Sequence, residues 1–240
     1  MILKIGGSVL TDKTEEETLS KEFDEVVETV AEAGRDDLVL VHGAGSFGHP
    51  HAERNGLAEG GHEGAYETHA AVARLNECVV GALNQHGVDA LPVHPLSCAW
   101  RDGARPLSFE TKPVEALRDE GFLPVLHGDV VADTTAGGVS VLSGDYIAVE
   151  LADRLKEPLG MCTSAGGVLG GDGEVLRRVT SVKEVEVLDG AGTDVTGGIH
   201  GKVERILSLS SGGHVFGVGE LGEYLDGEAV GTLVRRGTDK

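Results

Sequence analysis

Five short glycine turns hold most of the side chains in this sequence that could do chemistry. The first, Lys4-Ile5-Gly6-Gly7-Ser8, closes an apolar run. Two glycines let successive backbone N–H groups converge on an anion with no Cβ in the way, and Ser8 adds a hydroxyl. Lys4 could reach a phosphate oxygen from there and Lys13 follows just beyond, although a plain tight turn would use the same residues. The second, His42-Gly43-Ala44-Gly45-Ser46-Phe47-Gly48-His49, reads as a loop that brings backbone close to a small ligand and leaves His49 as a donor on its rim. An exposed loop histidine is the simpler alternative. With His42, His51 and His62, His49 also admits a metal site, but no carboxylate or cysteine completes a ligand spacing. His127-Gly128-Asp129 and Ser143-Gly144-Asp145 come next. Asp129 would serve equally as an Asx-turn residue, and Asp145 as a charge complementing a helix dipole. The fifth, Asp194-Val195-Thr196-Gly197-Gly198, opens a helix that carries Lys202 one turn in, and a helix N-terminus behind a Gly-Gly turn is a ready phosphate site.

Such turns need rigid elements behind them. Ile2–Ile5, Leu38–Val41, Leu91–Val93, Pro124–Leu126, Gly160–Thr163, His214–Val218 and Ala229–Val234 read as short strands. Helical spacing appears over Lys21–Ala33, Ala65–His86 and Pro113–Glu120, after Ser143 as N-cap, and from Ile199 to Leu207. Arg101–Ser108 and Gly166–Glu174 read as hairpins or loops. Strands that are apolar throughout and alternate with helices imply a mostly parallel sheet covered on both faces. Ligands of such sheets bind at the carboxyl ends of the strands, which is where the five turns fall.

Composition narrows the class of partner. Forty acidic against twenty basic side chains give a formal charge of −20, with only eight lysines and no basic stripe. That disfavours nucleic acid and anionic membranes, and it suits a host with a salty cytoplasm. Cys78, Cys98 and Cys162 form no CxxC pair, which together with the lack of a signal peptide points to a reducing cytoplasm. No apolar run approaches the length of a membrane span.

In their order along the chain, KIGGS, Lys13, HGAGSFGH, HGD, SGD and DVTGGIHGK closely resemble the amino acid kinase superfamily. Within it, the SFGH combination is similar to that of the isopentenyl phosphate kinases. The resemblance runs from Lys4 to Lys202. It implies an open three-layer αβα sandwich with a mainly parallel central sheet of eight strands. A single domain over residues 1–240 would seat the acceptor on its N-terminal half and the nucleotide on its C-terminal half, as a homodimer. It implies ATP as donor with Mg²⁺, and isopentenyl phosphate as acceptor. Lys4, Gly6, Gly7, Ser8 and Gly45 would bind the ATP phosphates; Gly198 and Lys202 would hold the nucleotide from the other lobe. Asp145 would orient the lysines or help bind nucleotide, and Lys13 would stabilise the moving phosphoryl group. Ala44, His49 and Gly128 would contact the acceptor phosphate, with His49 the discriminating residue, because relatives acting on carboxylates lack it. Where relatives show an Asp-x-Asp-Gly-like segment this chain has Ser164-Ala165-Gly166-Gly167, leaving Gly167 as the nucleotide-site candidate there.

A phosphate acceptor also makes chemical sense of the turns. Its second pKa lies near 6, so its oxygen attacks without a general base. A kinase of the same superfamily with another small phosphate, phosphonate or carboxylate acceptor stays open, as does a non-catalytic nucleotide binder. Keeping all three lysines argues against the latter. Val72, Val79, Leu83, Val93 and Trp100 could wall an isoprenoid pocket or be ordinary core.

Overall fold

A computed structural model describes residues 1–57, 61–102, 107–171, 173–185 and 198–237. The chain opens with β1 (Ile2–Ile5), the one-turn α1 (Gly7–Leu10), α2 (Phe23–Glu32), β2 (Val39–His42), α3 (Gly45–Arg54) and α4 (Ala65–Gln85). Then come β3 (Ala90–Pro92), β4 (Ala99–Arg101), β5 (Ser108–Phe109), α5 (Lys112–Asp119), β6 (Leu123–His127), β7 (Asp129–Asp133) and β8 (Gly138–Leu142). The rest is α6 (Gly144–Leu155), β9 (Leu159–Thr163), β10 (Arg178–Val179), α7 (Gly198–Leu207), β11 (Gly213–Gly217), α8 (Leu221–Leu225) and β12 (Thr232–Val234). Eight strands form one sheet in the order β10-β12-β11-β9-β1-β2-β6-β3, parallel everywhere except between β11 and β12.

The alternation of strand residues sorts the core into two layers. Ile2, Val39, Val41, Leu126, Met161 and Val215 pack on the face covered by α5, α6 and α7. Leu3, Ile5, Leu40, Val125, Cys162 and Phe216 pack on the face covered by α2, α4 and α8. Each helix presents a matching stripe, Phe23, Val26, Val27 and Val30 on α2 and Ile147, Ala148 and Leu151 on α6. Each such buried aliphatic side chain contributes about 1.5–3 kcal/mol. Ser143 caps α6, its hydroxyl accepting the Tyr146 N–H at 3.3 Å. By the same period-two rule Lys4 shares the α6 face with Ile2, and His42 and His127 share the α4 face with Leu40 and Val125.

Two features differ from the sequence expectation. A second sheet, ordered β5-β4-β7-β8, hangs off the end of β6 and leads into α6. Its strands are two to five residues long, too short for an alternating pattern to register. The segment ending at His49 is not a loop: helix α3 begins at Gly45 and contains Gly48, His49 and Pro50. Gly48 belongs there for close helix approach, since a Cβ would lie 2.6 Å from both the Ala44 methyl and a Val72 methyl of α4. Val72, Val79, Leu83 and Val93 are buried, and Trp100 is exposed on β4. Asp194–Gly197 lie outside the described residues. Among those described, no helix is long and apolar enough to cross a membrane.

Candidate active site

Four of the five glycine turns meet at the carboxyl ends of β1, β2, β6 and β8, and the glycines are what let them touch. A Cβ on Gly43 would stand 2.5 Å from the Gly7 nitrogen, and one on Gly7 would stand 2.6 Å from the Gly45 Cα. A Cβ on Gly144 would lie 2.7 Å from the His42 carbonyl oxygen. Backbone therefore packs on backbone, and the N-termini of α1, α3 and α6 are drawn together. Each leaves N–H groups without intrahelical partners, so their convergence makes a strongly anion-attracting corner. Gly45 enters α3 with φ +51, a conformation that favours glycine. Gly198 does the same at the start of α7, with φ +54.

A buried carboxylate holds two of the expected lysines beside this corner. Lys4 is 6% exposed, with its ammonium 2.7 Å from Asp145 Oδ1. Lys202, reaching across from α7, meets the other oxygen, Oδ2. Burial alone would push the Asp145 carboxyl up, but the ammonium groups of Lys4 and Lys202 outweigh it and hold the carboxyl well below the usual range. Asp145 is thus a fixed anion aiming two cations from distant parts of the chain at one place. Ser8, on α1, has its hydroxyl 3.1 Å from that of Ser164, just beyond β9.

Lys13 and His49 sit apart from that triad. Lys13 is exposed on a small hairpin closed by the Thr11–Leu19 bridge and by the Asp12 N–H to Thr18 carbonyl bond at 2.9 Å. The hairpin is moored to α3 and α4. Pro50 has no N–H to offer the Ser46 carbonyl, and the Glu17 N–H takes that place at 3.2 Å. Glu17, at φ +51, also receives Arg74 on both carboxylate oxygens and the His51 Nε2–H at 3.0 Å. Arg74 holds the Glu17 carboxyl below its usual range. His49 lies half-buried in the first turns of α3, next to the corner formed by Ala44 and Gly45. Thr11 ties the two sides together: its buried hydroxyl donates to the Gly7 carbonyl at 2.8 Å and accepts the Ser46 N–H at 2.9 Å.

Residues 1–216 match the amino acid kinase family. The chain belongs to that family. As an amino acid kinase it is a phosphotransferase, which fits a corner built for phosphate. It is 42% identical over 246 residues to the isopentenyl phosphate kinase of Haloferax volcanii, covering 98% of each chain. It is 30% identical over 257 residues to the isopentenyl phosphate kinase of Methanocaldococcus jannaschii, covering 97% of each. A crystal structure of an isopentenyl phosphate kinase superposes on it with a TM-score of 0.83 over 98% of both chains, at 28% identity. Two parts of this kinase's framework leave no signal in the sequence. Thr11 and the Glu17–Arg74 mooring depend on tertiary contacts that spacing does not reveal. The doubled His-Gly at the ends of β2 and β6 was visible, but only as turns.

Proposed function

We propose that this kinase transfers the terminal phosphoryl group of ATP to isopentenyl phosphate, giving isopentenyl diphosphate and ADP. The observation that carries the reading is Asp145 clasping Lys4 and Lys202 beside three converging helix N-termini. The names of the relatives supply the acceptor. Gly6, Gly7, Ser8, Gly45 and Gly198 line the nucleotide phosphates, with Lys4 and Lys202 neutralising them. Ala44, Gly128 and His49 hold the acceptor phosphate, and Lys13 on its moored hairpin covers the phosphoryl group in transit. An acceptor phosphate oxygen, already deprotonated, attacks the γ-phosphorus while the bond to the bridging oxygen breaks and its electrons pass to ADP. Positioning and charge do the catalysis, so no side chain has to remove a proton. His49 is a donor to the acceptor phosphate and not a base.

Among the described residues no group of three or more His, Cys, Asp or Glu side chains is arranged to hold a metal ion, and Asp145 is committed to its lysines. Mg²⁺ would enter with the nucleotide and would add positive charge at its phosphates. Ala52, Leu57 and Val130 form a small buried apolar cluster beside the helix that bears His49, with Val139 and Val141 packed against it. Cys98 and Cys162 are buried free thiols, which supports a reducing cytoplasm as the working compartment.

Phosphorus NMR of ATP with a panel of acceptors tests the reaction: a diphosphate forms with isopentenyl phosphate. Turnover confined to a carboxylate or nucleotide acceptor would overturn the reading. His49→Gln should raise the acceptor KM about tenfold or more, the worth of a charge-assisted hydrogen bond, and leave the ATP KM nearly unchanged. Abolished turnover with unaltered acceptor affinity would instead assign His49 to the chemical step.

A further inference from the structure

The reaction leaves four histidines, an asparagine and an aspartate in and beside the core unused. His42 and His127 end neighbouring parallel strands in register, are fully buried, and stack with ring centroids 5.6 Å apart. Both make the same unusual bond: Nδ1 lies 3.0 Å from the carbonyl oxygen of the next residue, Gly43 for His42 and Gly128 for His127. A carbonyl can only accept, so Nδ1 carries the proton in both rings. The other nitrogens are also spoken for. Asn76 Nδ2 lies 3.0 Å from His42 Nε2 and 3.4 Å from the Val125 carbonyl, which fixes that atom as the amide nitrogen and makes it the donor. His94 Nδ1 lies 2.8 Å from His127 Nε2 and donates to it. Next to them, Asp129 is fully buried and accepts from His69 Nδ1, from the Val130 N–H at 2.8 Å and from the Leu96 N–H at 3.3 Å. Burial pushes the His42 imidazole down to about 3 and lowers His127 as well, in keeping with rings whose Nε2 must accept.

We propose that His42 and His127 are positioning residues for the acceptor-phosphate turn, each fixing, through a proton held on Nδ1, the peptide that follows its glycine. In a trans peptide the C=O and N–H point in opposite directions. Turning the Gly43 carbonyl back onto a ring buried under α4 sends the Ala44 N–H the other way, out of the strand end. The vacancy left by Gly128 is where that direction matters: a Cβ there would stand 3.6 Å from the Ala44 nitrogen and 3.2 Å from the Gly144 nitrogen. Two backbone nitrogens and the Leu142 carbonyl oxygen, 3.5 Å from that point, therefore close on the bare Cα of Gly128 at the strand ends. His127 fixes that close approach by holding the Gly128 carbonyl where β6 turns into β7. Asn76 and His94 act at one remove, by dictating which ring nitrogen carries the proton.

The proposal rests on the reading that the acceptor phosphate lies against Ala44 and Gly128, and its test has an arm independent of that reading. Nitrogen-15 NMR of the full-length protein with labelled histidines should show two rings in the Nδ1–H form, unchanged from about pH 5.5 to 8. Protons on Nε2, or titration of either ring in that range, would overturn the proposal even in wild-type protein. Kinetically, His42→Phe and the milder Asn76→Ala should raise the acceptor KM about tenfold while leaving the ATP KM within about threefold. An equal rise in both constants, with the loss of folded protein that a merely structural role predicts, would also overturn it. Wild-type protein that turns over no isopentenyl phosphate would sink the functional reading, and the nitrogen spectra would still decide the tautomers.

Discussion

Asp145 carries two ammonium groups on one buried carboxylate, and removing its charge has consequences in both chemistry and stability. Asp145→Asn leaves Lys4 and Lys202 facing each other without the anion that aims them. Turnover should fall about a hundredfold or more, as when a preorganised charge partner is lost. The nucleotide-free variant should lose about 3 kcal/mol in urea unfolding, because a buried charge is left without its counterion. The pH dependence has a definite direction. In the unfolded chain Asp145 takes up its proton near pH 4, whereas in the folded chain the lysines delay it to a much lower pH. Acid thus protonates the unfolded state first. The stabilisation is complete above about pH 4 and is lost progressively as pH falls below that value. The gap between wild-type and Asp145→Asn urea midpoints should be flat from about pH 5 to 8 and close below about pH 4.

At the scale of elements, glycines of two different kinds sit in this chain and respond oppositely to a methyl group. Gly7→Ala drives a Cβ into the backbone of Gly45, so the turns must part. We expect a loss of about 2 kcal/mol or more, with activity falling further than stability accounts for. Gly81, within α4, has open space where its Cβ would be, and Gly81→Ala should gain about 0.5–1 kcal/mol with unchanged kinetics. Chemical denaturation of the two variants decides both. This contrast also explains what could be read from the sequence. The helices α2, α4 and α6 were legible because their apolar stripes are long, and Ser143 because a hydroxyl at a helix start has one common use. Helix α3 was not: Gly45, Gly48 and Pro50 signal a loop, and only packing on α4 makes a helix of them. The strands β4 and β5 were too short to alternate. The roles of Lys4 and Lys202, and of Asp145 as a residue that orients them, came with the family resemblance; that the three meet is a tertiary fact that no local pattern encodes.

Over the whole molecule, 40 acidic side chains face 20 basic ones, and their mutual repulsion opposes the compact state. Raising salt from about 0.1 M to 1 M shortens the Debye length from about 10 Å to about 3 Å. Thermal and urea midpoints should therefore climb with KCl, and a midpoint that falls would remove the case for adaptation to a salty interior. Exposed pairs such as Arg54–Glu16 should weaken across the same range, whereas the buried Lys4–Asp145–Lys202 triad is shielded from the ions that screen them. The Thr11 hydroxyl, bridging the Gly7 carbonyl and the Ser46 N–H, adds a property that belongs to neither turn alone. Whatever firms the nucleotide turn at Gly7 also firms the acceptor helix at Ser46, so the two substrates should bind with positive cooperativity. Calorimetry with a non-hydrolysable ATP analogue should find isopentenyl phosphate bound about fivefold tighter, with the same factor in the reverse order of addition. In Thr11→Val that factor should shrink towards one: a single oxygen atom would be what lets each of these two turns register that the other is filled.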